Sequence, residues 1–121
     1  MSEGEVEYIL NLMRDSILKV EERFSGIKRA EDFVSTPEGV ILLDSITMRL
    51  QVIGELVKRI HKTDPSILNE YPEIEWDKIA RFRDLVSHHY EDVDYEIVYD
   101  VCKNHIPRLK ATVQKMLQNI S

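Results

Sequence analysis

The hydrophobic residues of this chain recur every three or four positions along most of its length, which is the repeat of an amphipathic helix. The first segment places six of them between charged residues: Val6, Leu10, Met13, Ile17, Val20 and Phe24. This helix is predicted to end at Ser25-Gly26. A second long helix is predicted to begin at Thr36-Pro37, because threonine can cap a helix and proline suits its first turn. Its apolar face continues to Ile60, so it should end near His61-Lys62.

Three shorter patterns follow. Asp64-Pro65 predicts a helix of one or two turns, which Tyr71-Pro72 interrupts because the residue before a proline avoids the α region. Helical spacing resumes at Trp76 and continues to Tyr90. Asp94 can then cap a last helix.

The last helix contains Pro107 within its apolar pattern. A kink is predicted there, because the proline ring removes the backbone bond to the carbonyl of Lys103. No strand pattern competes anywhere in the sequence. The fold class expected is all-α: an antiparallel up-and-down four-helix bundle with one short extra helix before the fourth segment.

Composition agrees with one compact domain spanning residues 1–121. Hydrophobic residues make up 43% and charged residues 31%, with four glycines and four prolines, which disfavours disorder and low-complexity linkers. The net charge of -6 gives no global sign of a protein that binds nucleic acid or an anionic membrane. The single cysteine, Cys102, cannot form an intramolecular disulfide, and the acidic first residues, MSEGEV, do not resemble a leader. A cytoplasmic protein without a membrane segment is expected.

The most unusual stretch is residues 80–90, ARFRDLVSHHY, which combines basic and imidazole groups with a hydroxyl and a phenol. Arg83, Ser87 and Tyr90 are spaced by four and three, so they lie on one helical stripe, at the border of the core next to Val86. His88 is about 140° around the helix from Arg83. The two side chains can converge only if the helix ends before His88 or if a second chain completes the site.

Several interpretations of this stretch need no catalysis. Arg83 can extend over the core and pair with Asp84 or another acid, while His88 and His89 end a helix whose dipole favours cationic imidazole. A metal site is a second alternative, although adjacent histidines point to different sides of a helix and Glu91, Asp92 or another residue would have to supply the third ligand.

Cys102 and His105 are three residues apart, which could place a thiol beside an imidazole, as in nucleophilic catalysis. A core cysteine near a helical histidine is the other interpretation.

The spacing of Arg83, His88 and Tyr90, with four residues and then one between them, resembles the signature of the HEPN superfamily. It is most similar to the HepT-like toxins of HEPN/nucleotidyltransferase toxin–antitoxin pairs. Flanking segments resemble the same family, and they are distributed along nearly the whole chain from the second helix onward: residues 49–55, 72–76, 93–98 and 106–110. The sequence departs from the family at Asp84, where asparagine is most common, and at His89, where an acid is often found. Asp84 places a negative charge next to the expected phosphate site.

The resemblance implies a metal-independent endoribonuclease without a cofactor. In this chemistry the 2′-hydroxyl of RNA attacks the neighbouring phosphate and leaves a 2′,3′-cyclic phosphate. His88 would act as acid or base and Arg83 would stabilise the phosphorane oxygens. Asp84 and Ser87 would support the site or contact RNA. The family's homodimer, in which both motifs meet across a two-fold axis, would bring the two catalytic groups together.

Tyr90 and Arg49 acquire roles through the resemblance. Tyr90 resembles an acceptor for adenylylation by the nucleotidyltransferase antitoxin, which would block the RNA site; alternatively it is a half-buried aromatic residue whose hydroxyl finds a partner. Arg49 could bind phosphate or pair with an acid, and Gly54 should allow close helix packing. The rival hypothesis is a non-catalytic helical dimer that binds its nucleotidyltransferase or a nucleotide.

Overall fold

The computed structural model describes residues 3–120, and no strand occurs between them. Met1 and Ser2, at the start of the acidic N-terminal segment, and Ser121 lie outside the described residues. The helices are α1 (Glu3–Phe24), α2 (Pro37–Thr63), α3 (Pro65–Asn69), α4 (Trp76–His88), α5 (Tyr95–Asp100) and α6 (Ile106–Ile120). Short 3₁₀ turns occur at Ala30–Phe33 and Tyr90–Asp92, and a π-helical turn, Val101–His105, joins α5 to α6. The all-α prediction is confirmed.

The helices begin where their caps predict. The Thr36 hydroxyl accepts a hydrogen bond from the backbone N–H of Gly39 at 3.0 Å, at the start of α2. Asp94 accepts from the N–H of Glu96 at 2.8 Å and caps α5, and Asp64 caps α3 in the same way. These side chains satisfy N–H groups that have no partner inside the helix.

The bundle is built around α2, which packs against α1 on one side and α4 on the other, while α1 also packs against α6. The predicted apolar faces form the core, and its most buried members on α1 and α2 include Leu10, Met13, Ile17, Val20, Ile46, Ile53, Val57 and Ile60. Phe33, in the first 3₁₀ turn, is also fully buried. Within the described residues, no helix is long and apolar enough to cross a membrane.

The loop that leads into α4 is closed by one hydrogen bond and connected to α6 by an ion pair. The indole Nε1 of Trp76 donates to the carbonyl oxygen of Tyr71 at 3.0 Å. Glu73 contacts Lys115 of α6 at 2.8 Å, and the Lys115 ammonium holds the pKa of the Glu73 carboxyl below its usual range. These contacts fix the start of α4 relative to the last helix.

The last helix is irregular close to the predicted kink. The N–H of Ile106 bonds to the carbonyl of Val101, five residues earlier, where an α-helix would bond four residues earlier. Pro107 follows at once in α6. The α-helical bonding is therefore interrupted by a π-helical turn just before the proline, and the kink itself stays a prediction.

Candidate active site between α2 and α4

Polar side chains of α4 and of the turn after it reach across to one face of α2. The contacts run in opposite directions along the two helices, as antiparallel packing requires: Arg83 Nε lies 2.7 Å from Glu55 Oε2, Gln51 Nε2 donates to Ser87 Oγ at 2.7 Å, and Tyr90 Oη donates to Asp44 Oδ1 at 2.6 Å. The stripe predicted for Arg83, Ser87 and Tyr90 therefore faces α2.

Gly54 allows this close approach. A Cβ atom added at Gly54 would collide with Cβ of Arg83 and would lie 3.0 Å from the carbonyl oxygen of Ile79. Both neighbours belong to the α4 backbone region and cannot rotate away. The glycine therefore sets the distance between α2 and α4 at the level of Arg83, as the sequence suggested.

Arg83 is held by two carboxylates. Its side chain is largely buried, Nε lies beside Glu55, and Nη1 donates to Asp84 Oδ1 at 3.2 Å. The Nε–H does not point at the Glu55 oxygen with hydrogen-bond geometry, so the short distance reflects attraction between opposite charges. These ion pairs are the ones that the non-catalytic interpretation of Arg83 expects.

Asp84, the departure from the family pattern, also bonds Lys58 of α2, whose Nζ lies 3.0 Å from the same Oδ1. The hydrogen bond from Lys58, followed by that from Arg83, holds the pKa of the Asp84 carboxyl below its usual range. Asp84 is therefore a carboxylate at neutral pH, and its charge is shared between two cations.

His88 is the last residue of α4 and is exposed. Among residues 3–120 its side chain has no hydrogen-bond or ion-pair partner. The helix is unbroken from Arg83 to His88, so the two side chains leave it about 140° apart. A single chain does not bring these two candidate catalytic groups together.

Tyr90 lies just beyond α4, in the 3₁₀ turn, and its side chain is 48% exposed. The hydrogen bond to Asp44, with smaller contributions from burial and the charge of Asp44, raises the pKa of Tyr90 to about 12. The phenol is therefore protonated at neutral pH, with its hydroxyl directed at a carboxylate.

Arg49 is partly buried on α2, and no acid in the described part of the chain pairs with it.

Asp44 and Lys58 were not identified from the sequence. They lie seven residues before and after Gln51, so the helical repeat of α2 itself places all three on one face. This spacing of seven residues is the sequence signal that could have identified Asp44 and Lys58.

Cys102 and His105 do not form a nucleophilic site. Cys102 is buried in the core, and burial raises the pKa of its thiol to about 12, while His105 pairs with Asp100 at 3.3 Å. The nucleophile interpretation is wrong, because a thiol in that environment stays protonated.

Three residues named for the metal alternative lie close together. The ligand atoms of His89, Glu91 and Asp92 lie within 4.8 Å of one another on the exposed surface. An imidazole and two carboxylates are a chemically reasonable donor set for a divalent cation. His88 does not take part, so the adjacent histidines do not act as a pair.

The chain matches the family model described as "Ribonuclease HepT-like" over residues 13–116, which include α2, α4 and the contacts between them. It belongs to the HepT-like ribonuclease family.

Similar proteins include a candidate RNase of Caldanaerobacter subterraneus subsp. tengcongensis, 34% identical over 97 residues, which cover 80% of this chain and 80% of the relative. A candidate RNase of Methanocaldococcus jannaschii is 33% identical over 76 residues, which cover 63% of this chain and 60% of the relative. A second protein of that organism, named as a gamma-glutamylcyclotransferase and candidate RNase, is 28% identical over 96% of this chain, which spans 49% of its length. No solved structure matches.

Proposed function

We propose that this HepT-like chain is a metal-independent endoribonuclease, the toxin of a HEPN/nucleotidyltransferase toxin–antitoxin pair acting on cytoplasmic RNA. The 2′-oxygen of a ribose attacks the adjacent phosphorus, the bond to the 5′-oxygen breaks, and a 2′,3′-cyclic phosphate remains. Family membership and the spacing of Arg83, His88 and Tyr90 support this reaction.

The site residues suit the chemistry. His88 is exposed, and an imidazole can take a proton from the 2′-hydroxyl or give one to the leaving 5′-oxygen. The planar guanidinium of Arg83 always carries its charge and can stabilise the phosphorane oxygens. Ser87, which accepts a hydrogen bond from Gln51, is assigned to RNA contact. Arg49 leaves α2 about 160° around the helix from Gln51, so its assignment to RNA contact depends on the second chain of the dimer.

Arg83 and His88 point in different directions from one helix, and this observation is the main support for a homodimer. A homodimer brings the two groups together if His88 of one chain meets Arg83 of the other across a two-fold axis. The surface beside the site supports such an association: Ile41 is 66% exposed and Met48 53% exposed, one heptad apart on α2, and the half-exposed Tyr90 bonds Asp44, which lies between them in the sequence. Exposed apolar residues grouped in this way are typical of an interaction surface.

Cleavage of structured RNA in EDTA tests the assignment. Arg83→Ala and His88→Ala should each lower the rate by at least ~10²-fold, with helicity and dimer mass unchanged. Arg81→Ala and His89→Ala are matched controls on the same segment and should retain activity. The proposal fails if both site variants cleave as wild type does, or if the wild-type product lacks cyclic-phosphate ends.

Mixing the two site variants tests the shared site. A heterodimer of Arg83→Ala and His88→Ala contains one composite site with both groups intact and one site with neither. Subunit exchange should therefore restore about a quarter of wild-type activity, because about half of the dimers are mixed and half of their sites are complete. A mixture as inactive as its components would contradict a site shared between chains.

We further propose that the nucleotidyltransferase inhibits the toxin by adenylylating Tyr90. Tyr90 is half-exposed and lies one residue beyond the exposed His88-His89 end of the motif, so a nucleotide added to its hydroxyl would bring bulk and negative charge to the RNA site. Intact mass after incubation with the cognate transferase and ATP should show an adenylyl adduct that Tyr90→Phe abolishes. Tyr8→Phe is the control, because Tyr8 is more exposed, at 59%. An adduct that survives Tyr90→Phe rejects the role.

One observation favours the second candidate, a non-catalytic dimer that binds its transferase or a nucleotide. Glu55 and Asp84 already pair the charge of Arg83. The EDTA assay decides between the two, since the non-catalytic protein would leave RNA intact while still binding its partner.

A further inference from the structure

Lys58 of α2 and Arg83 of α4 meet at one oxygen atom. Asp84 Oδ1 accepts from Lys58 Nζ at 3.0 Å and from Arg83 Nη1 at 3.2 Å. The ammonium and the guanidinium, which come from different helices, are therefore neighbours on the same carboxylate. Only one of the three ammonium protons is needed for this bond, and the Lys58 side chain is 43% exposed.

The charges around Arg83 make this lysine important. Glu55 and Asp84 are two anions within ion-pair distance of one guanidinium, so these three groups together carry a net negative charge. Lys58 brings the cluster to neutrality. Without Lys58, an RNA phosphate that approaches Arg83 would be repelled by the net negative charge of the three groups. With Lys58 the cluster is neutral, and the flexible lysine side chain can turn toward the phosphate.

We propose that Lys58 is a second phosphate-binding residue of the RNA site, holding the backbone beside Arg83. This inference rests on the proposed ribonuclease function. On phosphate binding, the ammonium exchanges part of its contact with Asp84 for a phosphate oxygen, and Asp84 keeps the flexible lysine side chain at the site in the free protein. Ammonium and guanidinium groups side by side are suited to bind phosphodiester oxygens.

A purely structural surface ion pair makes a different prediction. Exposed pairs of this kind contribute little to stability, and their loss does not change how RNA binding responds to salt. Each phosphate contact, in contrast, releases counterions and steepens the dependence of affinity on salt, by about 0.7 in log–log slope for a single strand.

The experiment measures binding of a labelled single-stranded RNA of mixed sequence at several salt concentrations, with His88→Ala in every protein so that cleavage does not interfere. Lys58→Met should weaken binding about threefold to tenfold at low salt and reduce the slope by about 0.7. Lys58→Arg should restore both quantities. Lys19→Met is the charge-matched control, because Lys19 is exposed on α1, which packs against α2 and α6; it should change neither.

Two failures are distinguishable. If the His88→Ala protein binds RNA with a steep salt slope and Lys58→Met leaves affinity and slope unchanged, the role of Lys58 is overturned and the ribonuclease proposal stands. If the wild-type protein neither binds nor cleaves RNA, the proposed function is overturned and the role of Lys58 with it. Thermal unfolding of each variant should match that of the His88→Ala parent.

Discussion

Replacing Gly54 with alanine should push α4 away from α2. The added methyl would overlap Cβ of Arg83 and would lie 3.0 Å from the carbonyl oxygen of Ile79. Because both atoms are fixed to the α4 backbone, no side-chain rotation relieves the contact. The helices must separate, and the 2.7 Å contact between Arg83 and Glu55 must lengthen.

The magnitude follows from two opposing effects. An extra methyl group in a well-packed contact costs about 1–3 kcal/mol, and the upper part of that range applies because backbone must move. Alanine in a helix interior regains up to about 1 kcal/mol over glycine. The variant should therefore be less stable by about 2 kcal/mol, which corresponds to a fall of roughly 1 M in the urea midpoint.

Urea unfolding followed by circular dichroism measures this change, and RNA cleavage under native conditions measures its effect on the site. Gly26→Ala is the control, since a Cβ there has nothing within 4 Å and its φ is not positive; its stability should change by less than about 0.5 kcal/mol. A Gly54→Ala protein at least as stable as wild type would refute the claim that this glycine sets the helix separation.

The raised pKa values of Tyr90 and Cys102 each lead to a prediction. The Asp44 bond stabilises the neutral phenol of Tyr90 and raises its pKa to about 12, so its contribution to stability is present below pH 10, the unfolded value, and is lost between pH 10 and 12. Ultraviolet titration should show one tyrosine that titrates late, near pH 12, and that Tyr90→Phe removes. If the signal lost in Tyr90→Phe instead titrates near pH 10, the bond is contradicted. The buried Cys102 thiol, with its pKa raised to about 12, should react with a disulfide reagent only after unfolding in urea; rapid reaction of the native protein would place it at the surface.

Much of the fold could be predicted from the sequence because its signals are local. Helix starts depend on a side chain and a backbone N–H two or three residues apart, as at Thr36 and Asp94. The apolar repeat then assigns each helix its buried face. The same periodicity placed Arg83, Ser87 and Tyr90 on one stripe, and that stripe faces α2.

The partners of that stripe depend on how far α4 slides along α2, which a single sequence does not specify. The contacts of Tyr90 with Asp44 and of Asp84 with Lys58 join residues 46 and 26 positions apart. Asp84 was interpreted from the sequence as a negative charge beside the phosphate site. In the folded chain its charge is paired with Lys58 as well as Arg83.

The π-helical turn at Val101–His105 has a consequence for how the last helix can change in evolution, because it connects the extra residue of the turn with the presence of Pro107. A π turn contains one residue more than an α turn, so it can accommodate a single insertion while both flanking segments keep their faces toward the core. Val98 before the turn and Leu109 after it are both buried. In a regular α-helix the ring of Pro107 would collide with the carbonyl of Lys103, at a cost of about 3 kcal/mol. A relative that had lost the extra residue should therefore have lost the proline too, and the two should appear or disappear together.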